Sequence, residues 1–253
     1  MRCVLTDLCV TVNGETLLLD RSGAAFWSKT RTLIFADLHF EKGSSYARGR
    51  QFLPPYDTRA TLLRMAEVVG RRAPVRVIAL GDSFHDPNAA ERLGAEERAL
   101  LASMAAAAHF IWITGNHDPH PPAWLGGAVM PEWREGGLIF RHEPRLDAER
   151  GEVAGHLHPA ASVAKYGRGV RRRCFVANAA RLLLPSFGAY TGGLDVGDPA
   201  IASLFSSRFH AFMLGQDRVY AIPREAGPRQ VGRRKSSDDI QPMITAIATA
   251  ARP

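Results

Sequence analysis

The sequence predicts an α/β fold around a largely parallel inner sheet. Three observations carry this. Short apolar runs that end in polar loops recur as "TLIFAD", "VRVIALGD" and "FIWITGNHD"; segments of helical period lie between them; and after Gly126 the pattern changes to short strands with turns. Strands alternating with helices build parallel layers, because a parallel pair needs a crossover.

The elements follow in order. "LCVTV" and "ETLLL" flank Asn13-Gly14, the pair that best forms a tight hairpin turn, so they predict two paired strands. "TLIFAD" is a buried strand. Residues 58–70 place Leu62, Met65, Val68 and Val69 at helical spacing, with Gly70 as the stop. "VRVIALGD" is the next strand, "ERLGAEERALLASMAAAAH" is helical by pattern, and "FIWITGNHD" repeats the strand and polar loop. "GLIFRHEP", "GEVAGHLHP", "RRCFVAN" and "ARLLLPSFG" are the later strands. From Pro223, "PREAGPRQVGRRKSSDD" has little to bury, so the expectation is one domain over residues 1–222 and a disordered basic tail over 223–253.

At 253 residues and 46% hydrophobic, the chain can bury one sizeable core. No apolar run is long and clean enough to span a bilayer, since "ALLASMAAAAHFIWIT" is interrupted by Ser103 and His109. The opening "MRCVLTDLCV" carries an acid where a secretory segment would be apolar. Three scattered cysteines make neither a disulfide framework nor a thiolate metal site. Together these lead us to expect a cytoplasmic protein with no membrane partner. The formal charge of +7 attracts polyanions, although basicity carried by arginine is also what a GC-rich genome produces.

The chemistry collects at strand ends. "LIFADLH" ends in Asp37 and His39, "VIALGDSFH" in Asp82 and His85, "IWITGNHD" in Asn116, His117 and Asp118, "LIFRHEP" in His142, and "EVAGHLHP" in His156 and His158. Ligands of α/β sheets gather beyond the carboxyl ends of strands, so these tips can share one pocket. Each block alone has an ordinary explanation as a turn or a strand end. Their joint occurrence in one chain does not. Imidazole, carboxylate and an amide oxygen without thiolate suit Mn²⁺, Fe or Zn²⁺ with open positions. Seven candidate ligands are too many for one such ion, which points to a pair of cations able to polarise a phosphoryl oxygen.

These blocks resemble the calcineurin-like metallophosphoesterases, whose pattern is D-x-H, GD, GNH(D/E), H and GH-x-H. The departure is the fourth block, where "RHEP" puts Arg141 beside the pocket. "ADLHFEKG", "ARGRQFLP", "LGDSFHD", "GHLHP" and "LPSFGAYTGG" also resemble the ligase-associated DNA damage response endonucleases, over roughly Val10 to Pro223. The resemblance implies an αββα sandwich of two mixed sheets flanked by helices, and two divalent cations, Mn²⁺ first and Fe or Zn²⁺ as alternatives. It implies Asp37, His39 and His158 on one ion, Asn116, His142 and His156 on the other, and Asp82 between them. His117 would face the scissile phosphate, and Asp118 would orient it through its other ring nitrogen.

Lys42, Arg48 and Arg50 beyond the first block, His85, and the run Arg171, Arg172 and Arg173 are the candidate substrate contacts, the arginines as partners for phosphate oxygens. His120 reads as a bystander, and His109 and His210 as structural. The function implied is a nuclease acting on DNA, in company with an ATP-dependent DNA ligase, a helicase and a companion nuclease. A small-molecule phosphodiesterase or pyrophosphatase, acting on nucleotides or lipid-linked diphosphates, would instead need a deep closed pocket. A non-catalytic scaffold would need no metal.

Overall fold

The computed structural model describes residues 8–48, 53–54, 56–148, 150–165 and 168–224. The first sheet has seven strands in chain order: β1 (Leu8–Val12), β2 (Glu15–Leu19), β3 (Ala25–Trp27), β4 (Thr32–Phe35), β5 (Arg76–Leu80), β6 (His109–Ile113) and β7 (Ala128–Met130). β1 to β4 pair antiparallel, and β4 to β7 pair parallel. The opening hairpin turns on Asn13 and Gly14, both at positive φ, as its two-residue loop requires.

The crossovers carry α1 (Lys42–Arg48), α2 (Asp57–Arg72), α3 (Ala89–Arg92) and α4 (Ala95–Ala107). Two helical expectations change. α2 runs past the exposed Gly70 to Arg72 and is closed by Ala73 at φ 43°, whose N–H donates to Val69 O at 2.8 Å. The stretch from Glu91 to His109 is not one helix: Leu93 is extended at ψ 128°, and Gly94, also extended, begins α4 afresh.

The second sheet contains β8 (Glu132–Glu135), β9 (Leu138–Arg141), β10 (Glu152–Ala154), β11 (Pro159–Lys165), β12 (Arg168–Ala177), β13 (Arg181–Leu183), β14 (Leu194–Asp195), β15 (Phe209–Leu214) and β16 (Val219–Arg224). Its spatial order is β14-β11-β12-β13-β10-β9-β8, with β15 pairing β12 and β16. β9, β10 and β13 are parallel neighbours, and the β8–β9 and β11–β12 pairs are antiparallel, so this sheet is mixed. β16 includes Pro223 and Arg224, two residues beyond the boundary expected for the domain; the rest of the expected tail, residues 225–253, lies outside the described residues.

Three apolar layers hold this together. Leu62, Met65 and Val68 of α2 and Leu101 and Met104 of α4 pack on Phe35, Val77, Phe110 and Trp112 of the first sheet. Its other face, Ile34, Ile78 and Ile111, meets Phe140, Val153, Phe175 and Leu182 of the second sheet. Alternation along each strand supplies both faces at once, which is why β4 is buried at every position. Val176 and Leu183 on the far side of the second sheet are covered by Ile201 of α5 (Pro199–Ala202) and by Leu204 and Phe205. The architecture is the expected αββα sandwich of two mixed sheets. No described helix is long and apolar enough to cross a membrane.

Candidate metal centre

The carboxyl ends of β4, β5 and β6 meet those of β9 and β10 at one lip between the sheets. Hydrogen bonds tie the lip across the interface: Asp37 Oδ2 accepts the His156 N–H at 3.0 Å, and His142 Nδ1 donates to Leu80 O at 2.8 Å. Here the side chains separated in the sequence come together. Asp37, His39 and His158 form one group and Asp82, His142 and His156 a second, and within each group the ligand atoms lie within 4.8 Å of one another.

The pairwise distances fit coordination. His39 Nε2 is 3.3 Å from His158 Nε2, His158 Nε2 is 3.4 Å from Asp37 Oδ1, and His156 Nδ1 is 3.1 Å from His142 Nε2. Such separations are the edges of a coordination shell whose bonds are about 2.1 Å long. Asn116 Oδ1 joins the second group at 2.9 Å from His142 Nε2. Asp82 faces both groups, with Oδ2 3.9 Å from His39 Nε2 and Oδ1 3.4 Å from His142 Nε2.

Electrostatics point the same way. Burial, with His158 and Lys42 adding to it, lowers the His39 pKa to about 2, and burial lowers that of His156; both rings are neutral and offer lone pairs. Burial would raise Asp82, but its hydrogen bond and Coulombic attraction to His142 bring it down to about 2. Burial likewise opposes charge on His142, yet Asp82 and Asp37 together hold its pKa up at about 9. Asp37 and Asp82 thus draw positive charge into the pocket, here a proton on His142, while His39 and His156 stay neutral. The donor set fits divalent cations.

The backbone bends hard to achieve this. Asp37 (φ 52°), His39 (46°), Asp82 (47°), His156 (68°) and His158 (47°) are all left-handed, a region in which Asp and His are tolerated better than most residues. Two glycines make the close approach possible. A Cβ at Gly81 would sit 2.5 Å from the His142 ring, and one at Gly115 would collide with the backbone N and Oδ1 of Asp82.

His117 stands beside Asp82 and is 40% exposed at its side chain, with Nε2 4.0 Å from Asp82 Oδ2. Its Nδ1 donates to His85 O at 2.8 Å, and its ring stacks on His85 at 5.2 Å between centroids. This corrects the role expected for Asp118. Asp118 does not reach the His117 ring: its carboxylate accepts the N–H groups of Gly115 (3.1 Å), Ser83 (2.8 Å) and Phe84 (3.1 Å), pinning the "GNHD" loop to the "GD" loop. Burial pushes its pKa up to about 7.

The other expected contacts separate. Lys42 is half-buried below the Tyr46 ring, 5.8 Å from its centroid, and burial lowers its pKa. His85 Nδ1 lies 3.3 Å from His39 Nδ1, and burial and Lys42 bring its pKa to about 4. Arg48 is exposed at the end of α1, and Arg50 lies outside the described residues. Arg171, Arg172 and Arg173 do not form one patch, because side chains alternate along β12. Arg171 bonds Gly193 O, Arg172 bonds the Arg171 carbonyl, and Arg173 turns inward to Ser186 O at 2.9 Å and Ala189 O at 3.1 Å. Arg141, the last residue of β9, also turns away from the metal groups, to Glu152 and Glu132. His120 is exposed, and His109 opens β6 at the opposite end from the site.

Sequence reasoning missed Tyr46. It stacks on His85 at 5.8 Å and extends the His117–His85 ladder outward. Its signal was its place, four residues after Lys42 and hence on the same face of a helix.

The family model described as calcineurin-like phosphoesterase matches residues 30–173. Among solved structures, the nuclease MPE of Pseudomonas putida is similar to this chain at 27% identity and a TM-score of 0.65, over 85% of this chain and 100% of that one. YfcE, a phosphoesterase from E. coli, aligns at 15% identity and a TM-score of 0.36, over 78% of this chain and 99% of that one. No curated protein matches.

Proposed function

This chain belongs to the calcineurin-like phosphoesterase family, and from that premise we propose that this metal-dependent phosphoesterase hydrolyses phosphodiester bonds in nucleic acid, with DNA as substrate. The observation that carries the proposal is Asp82 facing two donor groups at once with the partly exposed His117 ring beside it. Asp37, His39 and His158 would hold one cation and Asn116, His142 and His156 the other, with Asp82 within reach of both. Mn²⁺ is our first assignment, with Fe or Zn²⁺ compatible with the same donors. When bound, the cations supply the positive charge that polarises a phosphoryl oxygen and steadies in-line displacement.

The chain's own residues do the rest. A carbonyl oxygen only accepts, so Nδ1 of His117 carries hydrogen and Nε2 is left to take up a proton and pass it to the leaving oxygen. Asn116 contributes a neutral oxygen, which limits the repulsion that a further carboxylate would exert on phosphate. The Tyr46–His85–His117 ladder offers a flat face beside the reacting phosphate, and bases stack on such faces. Likeness to a nuclease across 85% of the chain supports nucleic acid over smaller substrates. The subfamily resemblance extends the proposal to DNA repair in the cytoplasm, alongside an ATP-dependent DNA ligase, a helicase and a companion nuclease.

The test is cleavage of plasmid and single-stranded DNA by purified protein with Mn²⁺. Cutting should disappear with EDTA and with His117→Ala, the latter while the metal content stays at two ions per chain. Hydrolysis of bis(p-nitrophenyl) phosphate by a protein that leaves DNA intact would overturn the nucleic-acid reading.

A further inference from the structure

Beside the metal centre, a cleft of about 310 Å³ opens where α2 meets the second sheet, and four arginines line it: Arg21, Arg64, Arg71 and Arg173. Three of the four are held by neutral groups. Arg21 Nη1 donates to Gln216 O at 2.8 Å; Arg64 donates to Phe187 O and lies 4.5 Å from that ring's centroid; Arg173 donates to Ser186 O and Ala189 O. Carbonyls fix the position of a guanidinium without cancelling its charge. Arg71 does have a carboxylate, Asp20, but Arg72 shares it. Among the described residues Glu67 is the one acid on the lining, so positive charge is in excess.

That excess comes at a cost. Burial depresses the pKa of Arg64, and burial together with the charge of Arg64 brings Arg173 down to about 10. Two like charges held in a part-buried cleft are stabilised by an anion between them. Hydrogen bonds tie the cleft to the backbone of the metal centre. Ser186, whose carbonyl holds Arg173, donates its Oγ to the main-chain oxygen of Asp37 at 2.8 Å.

We propose that this cleft is a second phosphate site, in which Arg21, Arg64 and Arg173 seat a backbone phosphate of the same polynucleotide whose scissile phosphate lies at the metals. This rests on the nucleic-acid reading above. Planar guanidinium forks match phosphate oxygens in pairs, and a polynucleotide whose scissile phosphate lies at the metals brings further phosphates with it. Arg21, Arg64 and Arg173 come from a turn, a helix and a strand, and of the three only Arg173 stands in a basic run of the sequence.

The experiment is fluorescence anisotropy of a labelled oligonucleotide with the full chain in EDTA, where nothing is cut, across a salt series. Arg21→Gln and Arg64→Gln should each weaken binding about fivefold to tenfold and lower the salt slope by about one. Arg64→Lys should recover much of the loss. Arg59→Gln, an exposed arginine elsewhere on α2 that is paired with Glu96, sets the effect of removing any surface charge. Thermal melts identify a variant that has merely unfolded, in which case Arg21→Gln decides. Affinity and slope unchanged by Arg21→Gln, or a loss matched by Arg59→Gln, would overturn the site. So would inorganic phosphate binding that both variants abolish while oligonucleotide affinity stays constant. A protein that binds DNA through these arginines yet never cuts it would remove the nuclease reading and leave the site standing.

Discussion

Asp118 separates two accounts of the same motif. If its carboxylate anchors loops, Asp118→Ala strands three N–H donors, those of Gly115, Ser83 and Phe84, in a place where the native side chain is only 3% exposed. An unsatisfied buried donor costs about 1–3 kcal/mol, so three cost roughly 3–6 kcal/mol once water entering the vacated space recovers a part. That is a large share of a domain's usual total of about 5–15 kcal/mol. Asp118→Asn keeps one acceptor but turns an amide N–H₂ towards at least one donor, and should cost about 2–3 kcal/mol. Urea unfolding followed by circular dichroism, with and without Mn²⁺, reads both numbers. If Asp118 instead oriented the His117 ring, Asp118→Asn would leave the unfolding midpoint where it was and displace the pH–rate profile. That pairing of results would refute the anchoring role.

Other perturbations test the frame and the centre. Gly115→Ala drives a methyl into the backbone and carboxylate of Asp82, overpacking worth about 1–3 kcal/mol, and because Asp82 faces both groups the variant should hold less than two ions by elemental analysis. Chelation should lower the melting temperature, since ligand at a hundred times its Kd stabilises by about 2.7 kcal/mol; identical melts with and without EDTA would contradict a folded-state metal site. Arg92, through its hydrogen bonds, depresses the Asp86 pKa to about 2 from its ordinary value of 3.8. A depressed folded pKa contributes stability above the unfolded value, lost as pH falls through about 2, so the step spans roughly pH 4 to 2 and amounts to about 2 kcal/mol before solvent screening. Asp86→Asn should flatten that step in acid titrations of the urea midpoint.

What the sequence disclosed was decided locally. The apolar strands, the Asn13-Gly14 turn and the residue types at strand ends are properties of a few neighbouring letters, and the structure contains all of them. What it withheld depends on direction. Asp118 follows His117 directly, yet the loop turns one outward and the other into a cage of backbone donors. Arg141 and Arg173 stood beside His142 and in a basic run, but alternation along β9 and β12 sends them elsewhere. The break at Leu93–Gly94 was hidden because the apolar spacing runs through it unchanged. Arg64 lies on a helix whose packing, not whose pattern, brings it to the arginine cleft.

The ligand motifs themselves have a physical reason that periodicity does not supply. In an extended strand, residues two apart point the same way but sit roughly 6.6 Å from each other, too far to share one small cation. Asp37 with His39 and His156 with His158 are such pairs. Their left-handed backbones turn the chain tightly at each ligand, and Asp37, His39 and His158 end with their donor atoms within 4.8 Å. Each such residue stores about 1–3 kcal/mol of strain, so five of them approach the stability of a whole domain. Only a rigid frame can hold that. The parallel strands buried on both faces provide it, and Gly81 and Gly115 let neighbouring loops close over the bends without a side chain in the way. Cations on these donors would offset the strain and the negative charge of Asp37 and Asp82 together, which would link the fold's stability to the same charges that its chemistry requires.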